Sequence, residues 1–477
     1  MKVNWITNAW LEILKQRRGV IVKRFLLIPL ALLIAISLVA IGCPAEEAPP
    51  EAPPEAPPEA PPEIPDEIRV GDVVSYTGAY AAFGMDSWGV QAAVEDINKL
   101  GGVYVEEYGT RIPVRYITLD IGSDPLKVAP LTEDLILTEK VNFLGTHLEV
   151  PTMRPGTATM AEKYKIPAVI GIGPFESWMG VKEGAGEEWP YTFGYGFAIG
   201  SPTTPGDWRE GNPGYVMMDT WFGALGVAAE QTNKKVAVFA LDDLDGRGWY
   251  NAFSGVATAQ GYECYRYEDE FGIFPMETTD FSPIIEEWKD AGCEIMWGNC
   301  PGPHFGILWR QCHVLGFQPK MVFSTRAALH YEDVTSWGGD LPHGVGMELF
   351  WHPSNKGVCI GDTTPQSLAQ RYFDETGEPW PQGIGWDYMG AQMLFAGIEQ
   401  AGTLDPEEVC ESLRNLDVMT IQGRSSFEEG TQFMKMPCQF GQWRKTEQPW
   451  VWEAPCVFSF NDLLPATVEL IFPMPYD

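Results

Sequence analysis

The stretch Ile68–Gly102, "IRVGDVVSYTGAYAAFGMDSWGVQAAVEDINKLGG", contains the pattern that decides the fold. A short β-rich run, "IRVGDVVS", is followed by a loop and then by a segment with helical spacing that ends at Gly101-Gly102. Asp86 or Ser87 can cap the start of that helix, because short polar side chains accept hydrogen bonds from the free amides of the first turn. The stretch therefore predicts a strand, a loop and a helix in succession.

The same alternation continues along the chain in two series. The strands of the first series are "RIPVRYITLD", "VNFLGT" and "IPAVIGI", and those of the second are "KKVAVFAL", "EIMWGN" and "KMVFST". Strands separated by helical patterns of about 10–15 residues indicate right-handed βαβ units with parallel strands. The predicted fold class is therefore α/β, with two lobes that are each a parallel sheet flanked by helices.

Composition excludes several classes of function. The chain has 477 residues and a net charge of -33, with 65 acidic against 32 basic residues. This balance argues against nucleic acid and anionic lipid as partners. The sequence contains no G-x-S-x-G, H-E-x-x-H or P-loop motif, and no G-x-G-x-x-G after a strand. We therefore predict no catalytic residue, no cofactor and no metal site, and a protein that is not an enzyme.

The N-terminal part has the features of an export signal. Phe25–Ile41 contains no charged residue and follows Lys23 and Arg24, as in a secretory signal. Ala40–Cys43 resembles the bacterial lipobox, in which the cysteine is lipidated. The alternative is an uncleaved membrane anchor, since the run is close to the shortest that spans a hydrocarbon core of ~30 Å. We interpret residues 1–43 as a signal segment with a lipobox.

A tether follows the signal segment. Residues 44–67 are rich in proline and glutamate, a composition that favours an extended, solvated chain. Eight cysteines lie beyond Cys43, and an even number in an exported chain permits disulfides. The pairs that we favour are Cys264 with Cys293 and Cys438 with Cys456.

The loops that leave the carboxyl ends of the predicted strands point to a ligand-binding cleft. They include "YTGAYAAFG", "THLEVP" and "GPFESW" in the first series, and "DDLDGRG", "NCPGPH" and "TRAALH" in the second. Open parallel sheets bind ligands at this edge. Glycines, aromatic rings and a few polar groups suit a small polar organic ligand. Tyr80 and Phe175 are candidates for the aromatic wall of such a cleft.

Several of these stretches resemble the branched-chain amino-acid-type solute-binding proteins of ABC transporters. They are "SYTGAYAAFGMDSWGVQAAVEDINKLGG", "TLDIGSDPLKV", "VAVFALDDLDGRGWYNAF" and "LWRQCHVLGF", and the likeness runs in order from about Ile68 to about Trp443. The resemblance implies a two-lobed type I periplasmic-binding (Venus flytrap) fold with three crossovers. It implies crossovers near Phe193–Gly196, Phe323–Thr325 and Phe440–Trp443. The first lobe would then comprise residues 68–195 and 326–439, and the second residues 196–325 and 440–477, which include a C-terminal tail.

The resemblance also suggests ligand contacts, although the family's amino-acid clamp is not in its usual places. Glu149 stands where the family has the Ser that binds the ligand carboxylate, with Thr146 nearby. His304 stands in place of the acid that binds the ammonium group, and Asp245 in place of a Tyr of the second lobe. In one interpretation the clamp has moved, with Glu149 or Asp245 binding an ammonium group and Arg326 a carboxylate. In the other, the ligand is an amide, a polyol, an aromatic acid or a small cation. The full set of candidate ligand-binding residues is Tyr80, Thr146, His147, Glu149, Phe175, Tyr195, Asp245, His304 and Arg326.

Taken with the signal and the tether, the resemblance implies an extracytoplasmic solute-binding protein. It would capture a small polar organic ligand, such as an amino acid or an amide, and deliver it to ABC permease and ATPase subunits. We expect a monomer anchored to the membrane by a lipidated Cys43. The alternative is a receptor of the same fold that senses its ligand and signals rather than transports.

Overall fold

The computed structural model describes residues 63–185, 188–448 and 450–476. The predicted signal segment, the predicted lipidation site Cys43 and the tether as far as residue 62 lie outside this part of the chain. Within it, we find no helix whose length and apolar character would allow it to cross a membrane. The described residues belong to one compact unit.

The first stretch of chain builds a parallel sheet, because apolar strands alternate with amphipathic helices as the sequence predicts. Its strands are β1 (Ile68–Val74), β2 (Val103–Val105), β3 (Thr110–Ile112), β4 (Val114–Asp120), β5 (Phe143–Leu148), β6 (Ala168–Pro174) and β7 (Thr192–Phe197). Its helices are α1 (Ala81–Asp86), α2 (Trp88–Lys99), α3 (Pro125–Leu137), α4 (Pro155–Tyr164) and α5 (Phe175–Ala185). The spatial order is β7-β6-β5-β1-β4, and β2 and β3 form a separate hairpin.

The second stretch builds the second sheet in the same manner. Its strands are β8 (Lys235–Leu241), β9 (Glu263–Cys264), β10 (Ile273–Phe274), β11 (Ile295–Cys300), β12 (Met321–Arg326) and β13 (Gly346–Leu349). Its helices are α6 (Met217–Ala229), α7 (Leu244–Ala259), α8 (Ser282–Asp290), α9 (Gly302–Leu315) and α10 (Tyr331–Ser336). The spatial order is β10-β8-β11-β12-β13, all parallel, with β9 also beside β8.

The chain then returns to the first lobe before it ends on the second. The returning elements are α11 (Pro365–Thr376), α12 (Gly383–Ala401), α13 (Pro406–Arg414), β14 (Val418–Thr420), β15 (Gly423–Ser425) and β16 (Phe433–Lys435). β16 pairs in parallel with β7 at the edge of the first sheet. The final strands are β17 (Gln439–Gln442), β18 (Arg444–Lys445), β19 (Trp452–Glu453) and β20 (Cys456–Ser459). β17 and β20 extend the second sheet in antiparallel orientation beyond β13.

The passages between the sheets differ from the implied crossovers, most of all at the second. Residues 323–325 do not leave the second sheet, because Phe323 pairs with Gly346 and the chain stays there to the end of β13. A four-residue strand is too short to show a pattern in the sequence, which explains the error. The first passage follows Phe197, the end of β7, and the third lies between β16 and β17, so both are shifted by a few residues.

The core of the first lobe is centred on α12. This helix, "GIGWDYMGAQMLFAGIEQA", is buried along almost its whole length. It packs closely on α2, where a Cβ at Gly89 would collide with the carbonyl oxygen of Ile384. Gly101 and Gly102 end α2 with φ angles of 97° and 104°, a conformation that favours glycine, as the sequence predicted.

The predicted disulfides are wrong, since the eight cysteines in the described residues are buried free thiols. Cys264 lies on one side of β8, and the strand that follows Cys293 lies on the other. The backbones of Cys264 and Cys293 are therefore about two strand spacings, or roughly 10 Å, apart, which is more than the ~7 Å between Cα atoms that a disulfide can bridge. Cys456 pairs across the sheet with Gly441. Cys438 therefore lies about 10 Å further along that strand.

Candidate ligand-binding cleft

A cavity that is partly open to solvent, with about 420 Å³ of space when its open mouth is included, lies where the carboxyl ends of the two parallel sheets meet. The first lobe contributes Leu148, the last residue of β5, and Glu149, which follows it. The second lobe contributes Asn299 and Arg326 at the ends of β11 and β12. The complete lining is Phe83, Leu148, Glu149, Val150, Pro151, Gly173, Pro174, Phe197, Asp245, Trp249, Asn299, Arg326, Leu329, Glu348, Phe350, Trp386 and Met436. Its position follows the rule for open α/β sheets.

Aromatic rings form much of the apolar wall. Phe197, at the first passage between lobes, stacks on Phe350 with ring centroids 4.7 Å apart. Trp249 on α7 lies 5.7 Å from Phe197, and Trp386 on α12 lies 5.8 Å from Phe350. The rings thus form a continuous row from one lobe to the other, and an apolar ligand body would contact it.

Arg326 supplies the positive charge of the second lobe at the cavity. It ends β12 with a φ of 56° and is only 5% exposed. Its Nη1 lies 2.9 Å from Asp243 Oδ2 and 3.4 Å from Asp245 Oδ2, both at the start of α7. Among the described residues, its Nε and Nη2 have no hydrogen-bond partner. One edge of the guanidinium is therefore held by carboxylates and the other is available to a ligand.

Asn299 orients Asp245. Its Nδ2 donates hydrogen bonds to Asp245 Oδ2 at 3.0 Å and to Thr325 Oγ1 at 2.8 Å. Its Oδ1 is buried and finds no donor in the part of the chain that the structure describes. Asn299 therefore presents an acceptor to the cavity.

Glu348, on β13, is a buried carboxyl group with a free oxygen. It is 2% exposed, and its Oε1 accepts a hydrogen bond from the backbone amide of Arg326 at 3.1 Å. Its Oε2 has no partner within the described ranges. The pKa of Glu348 is raised to about 8, mainly by burial. The charge of Asp245 raises it further, whereas the hydrogen bond from Arg326 lowers it. At neutral pH the group is therefore mainly protonated.

Glu149 provides the carboxylate of the first lobe. Its Oε1 accepts a hydrogen bond from Ser75 N at 2.7 Å and lies 3.4 Å from His147 Nε2. Its Oε2 is buried without a partner among the described residues. Burial alone would raise the pKa of Glu149, but the hydrogen bond and charge of His147, with the charge of Arg154, lower it. Glu149 is therefore ionised.

A buried ionic network beneath the cavity holds Glu149 in place. His147 Nδ1 lies 2.6 Å from Asp387 Oδ2. Burial would lower the pKa of His147, but Asp387 and Glu149 raise it to about 10. Arg154 pairs with Asp72 at 2.9 Å and donates to the carbonyl oxygen of His147 at 2.5 Å. Each of these cations is thus already shared with a carboxylate of the first lobe.

The structure places three of the nine sequence-predicted residues in the cavity wall, namely Glu149, Asp245 and Arg326. Tyr80 is half-buried nearby: burial raises its pKa, and the charge of Arg326 opposes this. The rule that binding sites form at strand ends accounts for the positions of the three residues in the wall.

The other five predicted residues lie outside the cavity wall. Tyr195 is buried beneath it and donates to the carbonyl oxygen of Thr146 at 2.7 Å, while His147 belongs to the ionic network. Phe175, the first residue of α5, packs against Phe433 of β16, with ring centroids 5.4 Å apart. His304 lies in the first turn of α9, with its Nε2 2.7 Å from the carbonyl oxygen of Met276, so counting back from the Arg-Gln pair led to a side chain that faces away.

Sequence reasoning missed Glu348, Asn299 and the aromatic row. Glu348 was overlooked because β13 was assigned to the first lobe. A signal was available, since one carboxyl group within the apolar run "GVGMELFW" predicts a buried charge with a special role. Phe197 and Phe350 lie at passages between the lobes, whose positions depend on sheet pairing.

Comparisons with known proteins agree with this architecture. A family model described as "Periplasmic binding protein" matches residues 67–448. A leucine-, isoleucine-, valine-, threonine- and alanine-binding protein of Pseudomonas aeruginosa is 22% identical over 379 residues, which are 77% of this chain and 88% of the relative. A Leu/Ile/Val-binding protein homolog of Brucella melitensis is 24% identical over 341 residues, 71% of this chain and 80% of the relative.

Solved structures show the same fold. A leucine-binding protein from Thermotoga maritima superposes with a TM-score of 0.62 at 18% identity, covering 81% of this chain and 97% of its own. An ABC transporter solute-binding protein from R. palustris, in complex with 4-hydroxybenzoate, has a TM-score of 0.62 at 21% identity, covering 83% of this chain and 98% of its own. Both support the two-lobed fold described above.

Proposed function

Since the chain belongs to the periplasmic binding protein family, whose members are extracytoplasmic solute-binding proteins, we propose that its cleft captures a small polar organic solute and delivers it to an ABC importer. The observation that carries this proposal is that buried polar atoms without partners among the described residues reach the cavity from both lobes. Glu149 Oε2 comes from the first, and Glu348 Oε2 and Arg326 Nε from the second. Buried polar groups are rarely left without hydrogen bonds, so these atoms mark positions that a solute would satisfy.

A solute that pairs with both lobes also explains how binding would be signalled to a transporter. It makes its full set of contacts only when the lobes are close together, so it shifts the population towards the closed form by its differential affinity. The permease then distinguishes loaded from empty protein by the relative position of the lobes.

The aromatic row suits a solute with an apolar body. A relative named for binding leucine and related amino acids supports this, as does a structural neighbour in complex with 4-hydroxybenzoate, because these ligands have an apolar body. An amino acid, an amide or a related compound would fit between the rings and the polar groups.

We place the protein at the outer face of the cytoplasmic membrane as a monomer, anchored by lipidation of Cys43 and carried on the Pro/Glu tether. The support is the sequence "AIGC" after an uncharged apolar run. Mass spectrometry of the purified chain should find a chain that begins at Cys43 and carries a diacylglycerol on it. A chain that retains residues 1–42 and carries no diacylglycerol would favour an uncleaved anchor.

The binding proposal is tested by a thermal-shift screen of amino acids, amides, aromatic acids and organic amines, followed by calorimetry on the hits. Leu329→Trp, in the cavity wall, should abolish the shift for every hit, because the larger ring fills the cavity. Val314→Trp is the matched control, because Val314 on α9 is 83% exposed and lies outside the cavity wall, and it should bind normally. Small-angle scattering should show a smaller radius of gyration with the solute.

Retention of full affinity by Leu329→Trp would show that the cavity is not the binding site. If Leu329→Trp fails to fold, Asn299→Leu replaces it. This variant removes the polar contacts of Asn299 at similar volume, and its full affinity for every hit would likewise show that the cavity is not the binding site. A screen in which no solute binds would refute solute capture itself.

A further inference from the structure

The charge around the cavity is unbalanced towards negative. The carboxyl groups of Glu149, Asp245 and Glu348 line it, and that of Asp243 pairs with Arg326, which is the cation in its wall among the described residues. Arg326 already shares its Nη1 with two of these carboxylates, at 2.9 and 3.4 Å. Its positive charge is therefore compensated before any ligand arrives.

The cations beneath the cavity do not correct the imbalance. His147 lies between Glu149 and Asp387, and Arg154 pairs with Asp72. Each is fully buried with at least one carboxylate of its own. An anionic ligand would thus enter a region that already has excess negative charge, and in a poorly solvated cavity such repulsion is strong.

The unpaired atoms show the same preference in hydrogen bonding. Glu149 Oε2, Glu348 Oε2 and Asn299 Oδ1 are buried and reach the cavity without a partner among the residues that the structure describes; Glu149 and Asn299 are acceptors as they stand, and Glu348 becomes one when its proton is released. Their side chains are 0%, 2% and 1% exposed. A ligand that satisfies them must carry several N–H or O–H donors. The free edge of Arg326 offers two donors in return, which one carbonyl or hydroxyl oxygen can satisfy.

We propose that the solute is a small organic cation whose N–H-bearing charged group lies between Glu149 and Glu348, with its apolar body along the aromatic row. An ammonium, amidinium or guanidinium group meets this description, because each combines positive charge with several donors. Trp249 and Trp386 line the cavity, and aromatic rings can stabilise a nearby positive charge. The proposal rests on the proposed function and specifies its class of solute.

Binding of a cation should be coupled to release of a proton. The titratable groups that act on Glu348 are Asp245, Arg326 and the Cys438 thiol. A cation beside Glu348 would favour its ionised form, so below about pH 8 its binding expels the proton. Affinity should then rise with pH by up to about tenfold per unit and level off above pH 8. A neutral ligand would not show this dependence.

Benzamidinium, benzamide and benzoate test the inference, because they have nearly the same shape and carry positive, zero and negative charge. They are titrated calorimetrically into the full chain, together with arginine, agmatine, leucine and 4-hydroxybenzoate, in two buffers of different ionisation enthalpy. We expect the tightest ligand to be a cation. Benzamidinium should bind at least tenfold more tightly than benzamide and benzoate, and release a proton at neutral pH.

Glu348→Gln should lower the affinity for benzamidinium at least tenfold, abolish proton release and narrow the difference in affinity between benzamidinium and benzamide. Glu286→Gln, at an exposed position on α8, is the matched control and should behave like the parent chain. Glu149→Gln keeps the oxygen that faces Ser75 and serves as a second variant if Glu348→Gln does not fold. Tightest binding by benzoate, leucine or another anion or neutral solute would overturn the cation proposal but uphold solute capture. Absence of binding by all solutes would overturn both.

Discussion

The buried carboxyl group of Glu348 should make the stability of the protein depend on pH in a way that one substitution removes. Below about pH 4.5, its ordinary pKa, Glu348 is protonated in both the folded and the unfolded chain. Between that value and about 8 the unfolded chain releases the proton while the folded chain retains it. The free energy of unfolding therefore falls as pH rises through this window and levels off above it. Glu348→Gln eliminates this contribution.

The magnitude follows from the difference between the two pKa values. A rise from 4.5 to about 8 corresponds to about 5 kcal/mol over the whole window. The group is fully buried, so solvent does not screen the effect. Between about pH 6 and pH 9 only the two pH units below the folded-state pKa of about 8 contribute, and they amount to about 3 kcal/mol. Over this range Glu348→Gln should gain about that much stability relative to the parent chain.

Urea unfolding followed by tryptophan fluorescence, at closely spaced pH values for both chains, measures this difference. Other titrating groups are common to the two proteins and cancel in the subtraction. Glu286→Gln, at its exposed position, should give a curve parallel to that of the parent. Parallel curves for Glu348→Gln and the parent would refute the reasoning, since they would show that Glu348 is ionised in the folded protein throughout this range.

Three further predictions concern the framework of the cleft. Arg154→Met leaves the buried carboxylate of Asp72 without its cation, so we expect a loss of about 3–5 kcal/mol in the free energy of unfolding, with more than half of it recovered when Asp72→Asn is added. Gly298→Ala should cost about 1–3 kcal/mol, since its Cβ would collide with the carbonyl oxygen of Phe239, whereas Gly255→Ala, on an open helix face, should add roughly 0.5–1 kcal/mol. Urea melts check both, and equal effects at the two glycines would contradict the packing argument. The eight thiols beyond the signal segment should react with a thiol reagent only after unfolding, because all are buried; rapid reaction of the folded protein would disprove this.

The candidate site was predictable to the extent that it depends on strand ends. Asp245 follows β8 and Arg326 ends β12, so the rule for parallel sheets placed them at the cleft from sequence alone. Glu149 follows β5 and was identified in the same way. The rule could not decide between neighbours in that strand. Gly145 and Thr146 have φ angles of 92° and 96°, and the pairing with β6 shifts register there.

Such an irregularity breaks the alternation of side chains on which counting along a strand depends. His147 lies in the buried ionic network, whereas Glu149 also reaches the cavity. Nothing local in "THLEVP" distinguishes the two, because the distinction is made by contacts with Asp387 on a helix more than two hundred residues away.

The sequence by itself determined the α/β class and the division into two lobes, because hydrophobic periodicity, helix ends and turn residues act over a few neighbours. It also determined which loops gather at the cleft, since parallel strands that alternate with helices leave every carboxyl end on one edge. Only the tertiary structure decided that β13 belongs to the second sheet and that Glu348 faces the cavity. Those outcomes depend on strand pairing and burial between segments far apart in the chain, which no local pattern records.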